Sequence, residues 1–269
     1  MLDKSPQTIR RLFDQIAPRY DLINHCLSLG IDYSWRRRSV ELIFSDIDAT
    51  SPGPVLDVCC GTGDFAIAWH RKLASLPQDA TNITQEYPAE ATDSPEDNSR
   101  LFHDQRKIVG VDFSSAMLEI GRKKIAKIAA EKDVVLWQGD ALALPFAEKT
   151  FSAVSVGFGL RNVVDPDRGL AEMVRVTRPG GIVAVLDFDL PNIPLVAPLY
   201  RFYLTKVLPG IGKCVSRNRE GAYHYFSKSV MQFEKGEAFI NKLRDAGLQQ
   251  VKMRRMTCGV ATLYWGKRD

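Results

Sequence analysis

Short apolar runs alternate with amphipathic stretches along most of this chain. Residues 54–59, 107–112, 134–137, 151–156 and 182–186 are rich in Val, Ile, Leu and Phe and too short for a buried helix, so they are expected to be strands. Residues 64–73, a stretch capped by Ser114 and running to about Ala130, and 166–176 repeat apolar residues at three- and four-residue spacing and are expected to be crossover helices. Strands that are apolar throughout, separated by helices, build a parallel sheet covered on both faces. A helix over 236–246 then precedes strands at 248–254 and 259–266, close enough in sequence to pair antiparallel. The expected fold is therefore α/β, a mostly parallel seven-stranded sheet with helices on both faces.

Two regions lie outside that alternation. Helical segments at 6–16, 20–29 and 33–44 form an N-terminal cap over residues 1–50, and a Pro-broken apolar stretch from 191 to 210 opens a region, 190–235, suited to a lid. Residues 76–104 are poor in large apolar side chains and carry seven acids against one arginine. They show no period that buries a face, so they are expected to be a disordered insertion or a partner-binding arm. The remaining elements fit one domain across residues 1–269.

Composition narrows the class. Hydrophobic residues at 45% and charged residues at 25% exclude a wholly disordered, collagen-like or coiled-coil chain. No run reaches the roughly 20 apolar residues that cross a bilayer, and the opening Met1-Leu2-Asp3-Lys4-Ser5-Pro6 lacks the layout of a signal peptide, so a cytoplasmic location is expected. Five cysteines form no CxxC pair, which argues against zinc and disulfides, and no metal site is expected. The net charge of +4 conceals −6 in the insertion and +10 elsewhere. Arg36-Arg37-Arg38 and Arg217 with Arg219 fit either a peripheral contact with anionic lipid at the inner membrane face or a solvated basic surface.

The chemistry gathers at strand ends. Gly61-Thr62-Gly63-Asp64-Phe65-Ala66 follows the first strand as a G-x-G-x-x-A turn, which lets backbone approach a ligand at a helix N-terminus. Such a turn serves a dinucleotide, S-adenosylmethionine, or steric need alone. Asp57 in the first strand, Asp112 closing the second and Asp140 after the third are expected to converge on one ligand, because the carboxyl ends of parallel strands line the crevice. Asp112 suits two ribose hydroxyls. Asp140-Ala141 suits an adenine edge, or Asp140 is a loop cap.

Five strings carry a family resemblance: Phe13-Asp14-Gln15-Ile16-Ala17-Pro18-Arg19-Tyr20-Asp21, residues 55–64, Gly139-Asp140-Ala141-Leu142-Ala143-Leu144-Pro145-Phe146, Phe158-Gly159-Leu160-Arg161-Asn162-Val163, and Arg178-Pro179-Gly180-Gly181. Over nearly the whole chain it resembles the ubiquinone/menaquinone biosynthesis C-methyltransferases. The first and fourth strings are specific to that family, whereas the glycine turns are shared by methyltransferases at large. The resemblance implies a class I methyltransferase fold, S-adenosylmethionine as methyl donor, and a polyprenylated quinol, either naphthoquinol or benzoquinol, as acceptor. It places Thr62, Asp112, Asp140 and Ala141 at donor-binding positions, beside Gly61 and Gly63 of the turn. Gly157 departs from the family's usual serine before F-G-L-R-N, and the tyrosine-bearing stretch around Tyr223 and Tyr225 falls where the acceptor belongs.

Methyl transfer to carbon needs a nucleophilic ring carbon, which a quinol acquires as it loses a hydroxyl proton. Arg161 is the candidate for stabilising the ring oxygen, since a guanidinium stays charged and directs its donors. The base is left among His25, which titrates near neutrality, and a water relayed through Arg161 or Asn162, with Tyr223 and its neighbours orienting the ring. A methyltransferase acting on another small apolar acceptor, an NAD-dependent oxidoreductase on the same glycine turn and a donor-binding protein without an acceptor site stay as alternatives. Nucleic acid is not an expected partner: no N-P-P-Y, D-P-P-Y or Pro-Cys string is present. A homodimer is left open.

Overall fold

The computed structural model describes residues 6–28, 30–47, 53–76, 107–191, 193, 194, 196–203, 205 and 220–269. All of the 76–104 insertion except Leu76, the lid residues 206–219 and the arginines at 217 and 219 lie outside these described residues.

Seven strands form one sheet: β1 (Val55–Val58), β2 (Ile108–Asp112), β3 (Val134–Gln138), β4 (Phe151–Gly157), β5 (Thr177–Phe188), β6 (Leu248–Met256) and β7 (Ala261–Arg268). Their spatial order is β3-β2-β1-β4-β5-β7-β6, with β7 antiparallel to both neighbours and the other pairings parallel. The chain reverses direction across the sheet between β1 and β4, and that switch opens a crevice at the carboxyl ends of the strands. The expected R-P-G-G turn is drawn into the start of β5, where the register shifts between Phe151 and Ala153 and Gly180 adopts φ of 73°.

Helices cover both faces. On one side α2 (Ile31–Asp46), α3 (Asp64–Ala74) and α4 (Ser115–Lys127) bury Trp35, Ile43, Phe65, Trp69 and Leu118 against the sheet. On the other, α5 (Pro166–Val176) and α8 (Glu237–Asp245) bury Leu170, Met173, Phe239 and Leu243. Burying such side chains supplies roughly 1.5–3 kcal/mol each before conformational entropy is counted. The buried Trp69 indole donates to Ser155 Oγ at 3.1 Å, which satisfies a donor that the core would otherwise strand.

The N-terminal cap differs from expectation in one respect. The segments expected at 6–16 and 20–29 are a single helix, α1 (Pro6–Leu27), that runs through Pro18. Proline removes one helical hydrogen bond, but Ile9, Phe13, Ala17 and Tyr20 recur along one face, with Ile9 and Ala17 buried. Tertiary burial of that face outweighs the break. In the lid region, α6 (Val196–Phe202) and α7 (Glu220–Gln232) flank the undescribed residues, and α6 buries none of its residues fully.

Candidate active site at the strand ends

The crevice at the ends of β1, β2 and β4 is a pocket lined by Gly61, Asp112, Asp140, Ala141, Gly157 and Asn162 among the expected residues, with Ile9, Phe13 and Tyr20 of α1 covering it. Asp112 is buried. Its Oδ2 accepts from Gly61 N at 2.8 Å and its Oδ1 from Ser114 N at 2.9 Å. Each carboxylate oxygen has two lone pairs, so these bonds fix the orientation and leave acceptor capacity for a diol. Burial pushes the Asp112 carboxyl up to about 6, with the backbone amides of Ser114, Gly61 and Phe113 pulling the other way. Asp140 stands exposed at the rim. Its Oδ1 accepts from Leu142 N at 2.9 Å, so it caps its own loop and lines the pocket as well.

Asp57 does not join the other two carboxylates. Side chains alternate along a strand, and Asp57 falls on the face of β1 toward α3, where Oδ2 accepts from Ala66 N at 3.1 Å and Oδ1 is buried without a partner among the described residues. Burial holds its pKa well above the ordinary carboxylate range, against the pull of Arg36. Its place is behind the glycine turn, bracing the start of α3. Gly63, with φ of 81°, is the N-cap of α3 and sits outside the pocket wall.

Thr62 takes part in a different construction. Its hydroxyl donates to Asp21 Oδ1 of α1 at 2.6 Å, and Lys124 Nζ of α4 bonds Asp21 Oδ2 at 3.0 Å, Thr62 Oγ1 at 3.1 Å and Asp64. Nearer the start of α1, Ser114 Oγ donates to Asp14 Oδ1 at 2.5 Å. The F-D-x-I-A-x-R-Y-D string thus has a physical logic: its aromatic residues face the pocket, and its two aspartates latch α1 to the glycine turn and to the cap of α4. Sequence reasoning quoted this string without assigning Asp14, Asp21 or Lys124 a role. The acids one helical repeat apart on the aromatic-bearing helix were the available sign.

The ends of β1 and β4 approach closely. Cys59 and Phe158 both adopt positive φ, 54° and 61°, which few non-glycine residues do. A Cβ on Gly159 would sit 2.4 Å from Cys59 Cβ, so glycine in F-G-L-R-N is required for the two loops to meet. At Gly157 a Cβ would lie 2.8 Å from Phe65 Cδ1. The departure from serine therefore matches the ring of Phe65, which occupies the space that a hydroxymethyl group needs. Burial keeps both the Cys59 and Cys60 thiols well above their ordinary range, so neither is a ready nucleophile.

Beyond Gly159 the 3-10 turn Leu160–Asn162 carries Arg161 and Asn162. Asn162 lines the pocket, and its amide nitrogen is 3.4 Å from Phe158 O. Arg161 is turned away from the donor side. Its NH1 donates to Phe158 O and to Asp187 Oδ1, each at 2.6 Å, and its guanidinium carbon lies 5.3 Å from the ring centre of Phe188 and 5.2 Å from that of Phe226. His25 lies in α1 and Tyr223 in α7, but both side chains fall outside the described residues. Of the arginine cluster 36–38, Arg36 is not available to a lipid surface: it is buried, paired with Asp32 at 2.5 Å and held 5.2 Å from the Phe158 ring. Arg37 and Arg38 remain exposed beside Glu41. No group of metal-ligating side chains occurs among the described residues.

This pocket suits a nucleoside-bearing donor. It offers a buried carboxylate with spare lone pairs, an exposed carboxylate beside a backbone loop, and at Gly61 a turn where an added Cβ would meet only Tyr20, at 4.0 Å.

Comparison with known proteins agrees with this geometry. A SAM-dependent methyltransferase structure from Thermotoga maritima superposes with a TM-score of 0.58 at 18% identity, covering 97% of this chain and 100% of that one, which establishes the fold. The chain is 37% identical over 267 residues to a ubiquinone/menaquinone biosynthesis C-methyltransferase UbiE of Citrifermentans bemidjiense, covering 99% of each. It is 33% identical over 261 residues to a demethylmenaquinone methyltransferase of Bacteroides fragilis, covering 97% of this chain and 92% of that protein. The sequence profile that matches residues 1–268 is that of the ubiE/COQ5 methyltransferases, and the chain belongs to that family.

Proposed function

We propose that this protein methylates a ring carbon of a polyprenylated quinol with S-adenosylmethionine as donor, converting demethylmenaquinol to menaquinol. The observation that carries the reading is the juxtaposition of a pocket built around Asp112 with a buried Arg161 one residue from the Asn162 that lines it. The names of the relatives support the acceptor class.

When bound, the donor supplies an electrophilic methyl group on a sulfonium. Asp112 would accept from the ribose hydroxyls, and Asp140 with the Ala141 backbone would receive the adenine edge. The α1 aromatics Phe13 and Tyr20 cover the donor and exclude water. On the acceptor side Arg161 would stabilise the negative charge that develops on the ring oxygen as its proton passes to a water relayed through Arg161 or Asn162, and Asn162 would fix the ring near the donor. Much of the rate comes from holding the carbon roughly 3–3.5 Å from the methyl.

An acceptor of this kind resides in a lipid bilayer. Leu199 and Phe202 on α6 stand 69% and 57% exposed beside the exposed Arg201, a surface for peripheral contact with anionic lipid. Flotation with anionic vesicles checks that contact.

Only the reduced acceptor should react, because a quinone ring is electron-poor and has no hydroxyl proton to lose. The test is transfer of labelled methyl to a demethylated prenyl quinone, run anaerobically with and without dithionite and read by mass analysis of the extracted lipid. Methylation is expected only with reductant. Equal rates on the oxidised quinone would overturn the quinol mechanism.

A further inference from the structure

The structure assigns Asp187 as the positioning residue that anchors Arg161 in the acceptor half of the site and balances its charge. This rests on the quinol-methylating reading above. Asp187 is the penultimate residue of β5, opposite Thr262 of β7 and beside the end of β4, and it is buried. Its Oδ1 accepts from Arg161 NH1 at 2.6 Å and from Phe188 N at 2.7 Å.

The pair is unusual in what it leaves unused. A purely structural arginine–carboxylate pair gains most when it is bidentate, with every buried donor and acceptor satisfied. Here one nitrogen meets one oxygen. Among the described residues, Arg161 Nε and Asp187 Oδ2 are both buried without a partner, as are Asn162 Oδ1 on the same turn and the Tyr225 hydroxyl of α7. Phe188 and Phe226 flank the guanidinium, so it cannot swing freely to meet these atoms. Orphaned polar atoms from three elements around one held cation call for a polar guest.

A ring bearing hydroxyl groups is such a guest. Asp187 fixes the guanidinium through NH1 and leaves Nε uncommitted. Its carboxylate also balances the charge of Arg161, so that the guanidinium does not retain a stray anion. A neutral quinol can then enter, and Arg161 meets the negative charge that grows on its oxygen.

The titratable groups facing this pair are Lys235 after α7, Asp189 beyond β5, Cys59 at the end of β1, and Tyr200 and Tyr225 from α6 and α7. Burial raises the pKa of Asp187 against the pull of Arg161. Protonation at low pH removes the anchor, so kcat at saturating donor acquires an acid limb that belongs to this carboxylate, separate from the loss of donor affinity that Asp112 brings.

The test uses Asp187→Asn and Asp187→Glu in the full chain. Turnover and donor affinity are measured from pH 5 to 9, and solvent exchange of the Arg161 Nε proton is followed by NMR. Asp187→Asn should lower kcat at least tenfold, leave donor Kd within twofold, abolish the acid limb of kcat at saturating donor and speed exchange at Arg161. Asp187→Glu should recover part of kcat and restore the limb. Turnover of the asparagine variant within twofold of wild type, or a parallel loss of donor affinity and kcat, would overturn the assignment. If the asparagine variant does not fold, the glutamate variant decides: an unchanged kcat and unchanged Arg161 exchange overturn the inference. Wild-type protein that methylates no reduced prenyl quinone, while Arg161 exchange still depends on Asp187, counts against the quinol reading and upholds the anchoring.

Discussion

The donor and acceptor halves of the crevice are built by opposite means. In the half proposed for the donor, the polar groups are backbone amides and carboxylates within a few residues of a strand end: Gly61, Asp112 and the Asp140 loop. On the acceptor side the polar groups are a buried ion pair between residues 26 apart, held among aromatic rings from β5 and α7. The first arrangement is local and partly wet, and it tolerates a ligand that arrives with its own hydrogen-bonding groups. The second is dry and incomplete, and an orphaned Nε or carboxylate oxygen there weighs far more than it would in water.

That contrast predicts where substitutions fall. The largest effect should come from Arg161→Lys, which keeps a positive charge but loses the planar fork that Asp187 and Phe158 O hold. Turnover should drop about 10²–10³-fold, the usual range for losing a preorganised oxyanion donor, with donor affinity nearly unchanged. Equal losses in both would place Arg161 in the donor half and dissolve the comparison.

Next in size, Asp112→Ala should weaken donor binding by about 1.5–3 kcal/mol, or about ten- to a hundredfold in Kd, while the fold persists. Titration calorimetry showing unchanged affinity would remove the ribose assignment.

The same carboxylate sharpens the comparison through pH. Asp112 has a folded-state pKa raised to about 6, so it is protonated below that value and loses acceptor capacity. Donor affinity should therefore rise with pH through about 6, level off above 7, and be about tenfold weaker at pH 5. A flat profile between pH 5 and 8 would show that ribose binding does not need the ionised form. The stability consequence has the opposite slope. Asp112 binds its proton more tightly in the folded state, so its contribution to stability is greatest below the unfolded value and is lost as pH rises through about 6.

The smallest effect should come from the latch. Lys124 and Asp21 have side chains 23% and 27% exposed, so their pairing is partly screened. Lys124→Ala should weaken donor affinity only a few-fold, mainly through faster release as α1 opens, which stopped-flow displacement would resolve. A loss as large as that of Asp112→Ala would make α1 part of the binding surface itself.

Much of this protein was legible before any coordinates. The alternation of apolar runs with amphipathic stretches gave the strands and crossover helices seen among the described residues, because strand and helix periods follow from local geometry. Asp112, Gly61 and the Asp140 loop were legible for the same reason, being fixed by the strand they terminate. Asp57 misled because distance from the glycine turn does not reveal which face of β1 a side chain takes. The single helix through Pro18 escaped because its apolar face is stabilised by the crevice it covers.

The sequence by itself determined the fold class and the family, both of which rest on short-range patterns and contiguous strings. Only the tertiary structure decided that Asp14, Asp21 and Lys124 latch the cap, that Phe65 fills the place of a serine at position 157, and that Asp187 holds Arg161. Each of these depends on two elements far apart in the chain meeting at one point. Whether a carboxylate is a solvated residue or the anchor of a buried cation is set by that meeting and by the loss of water around it.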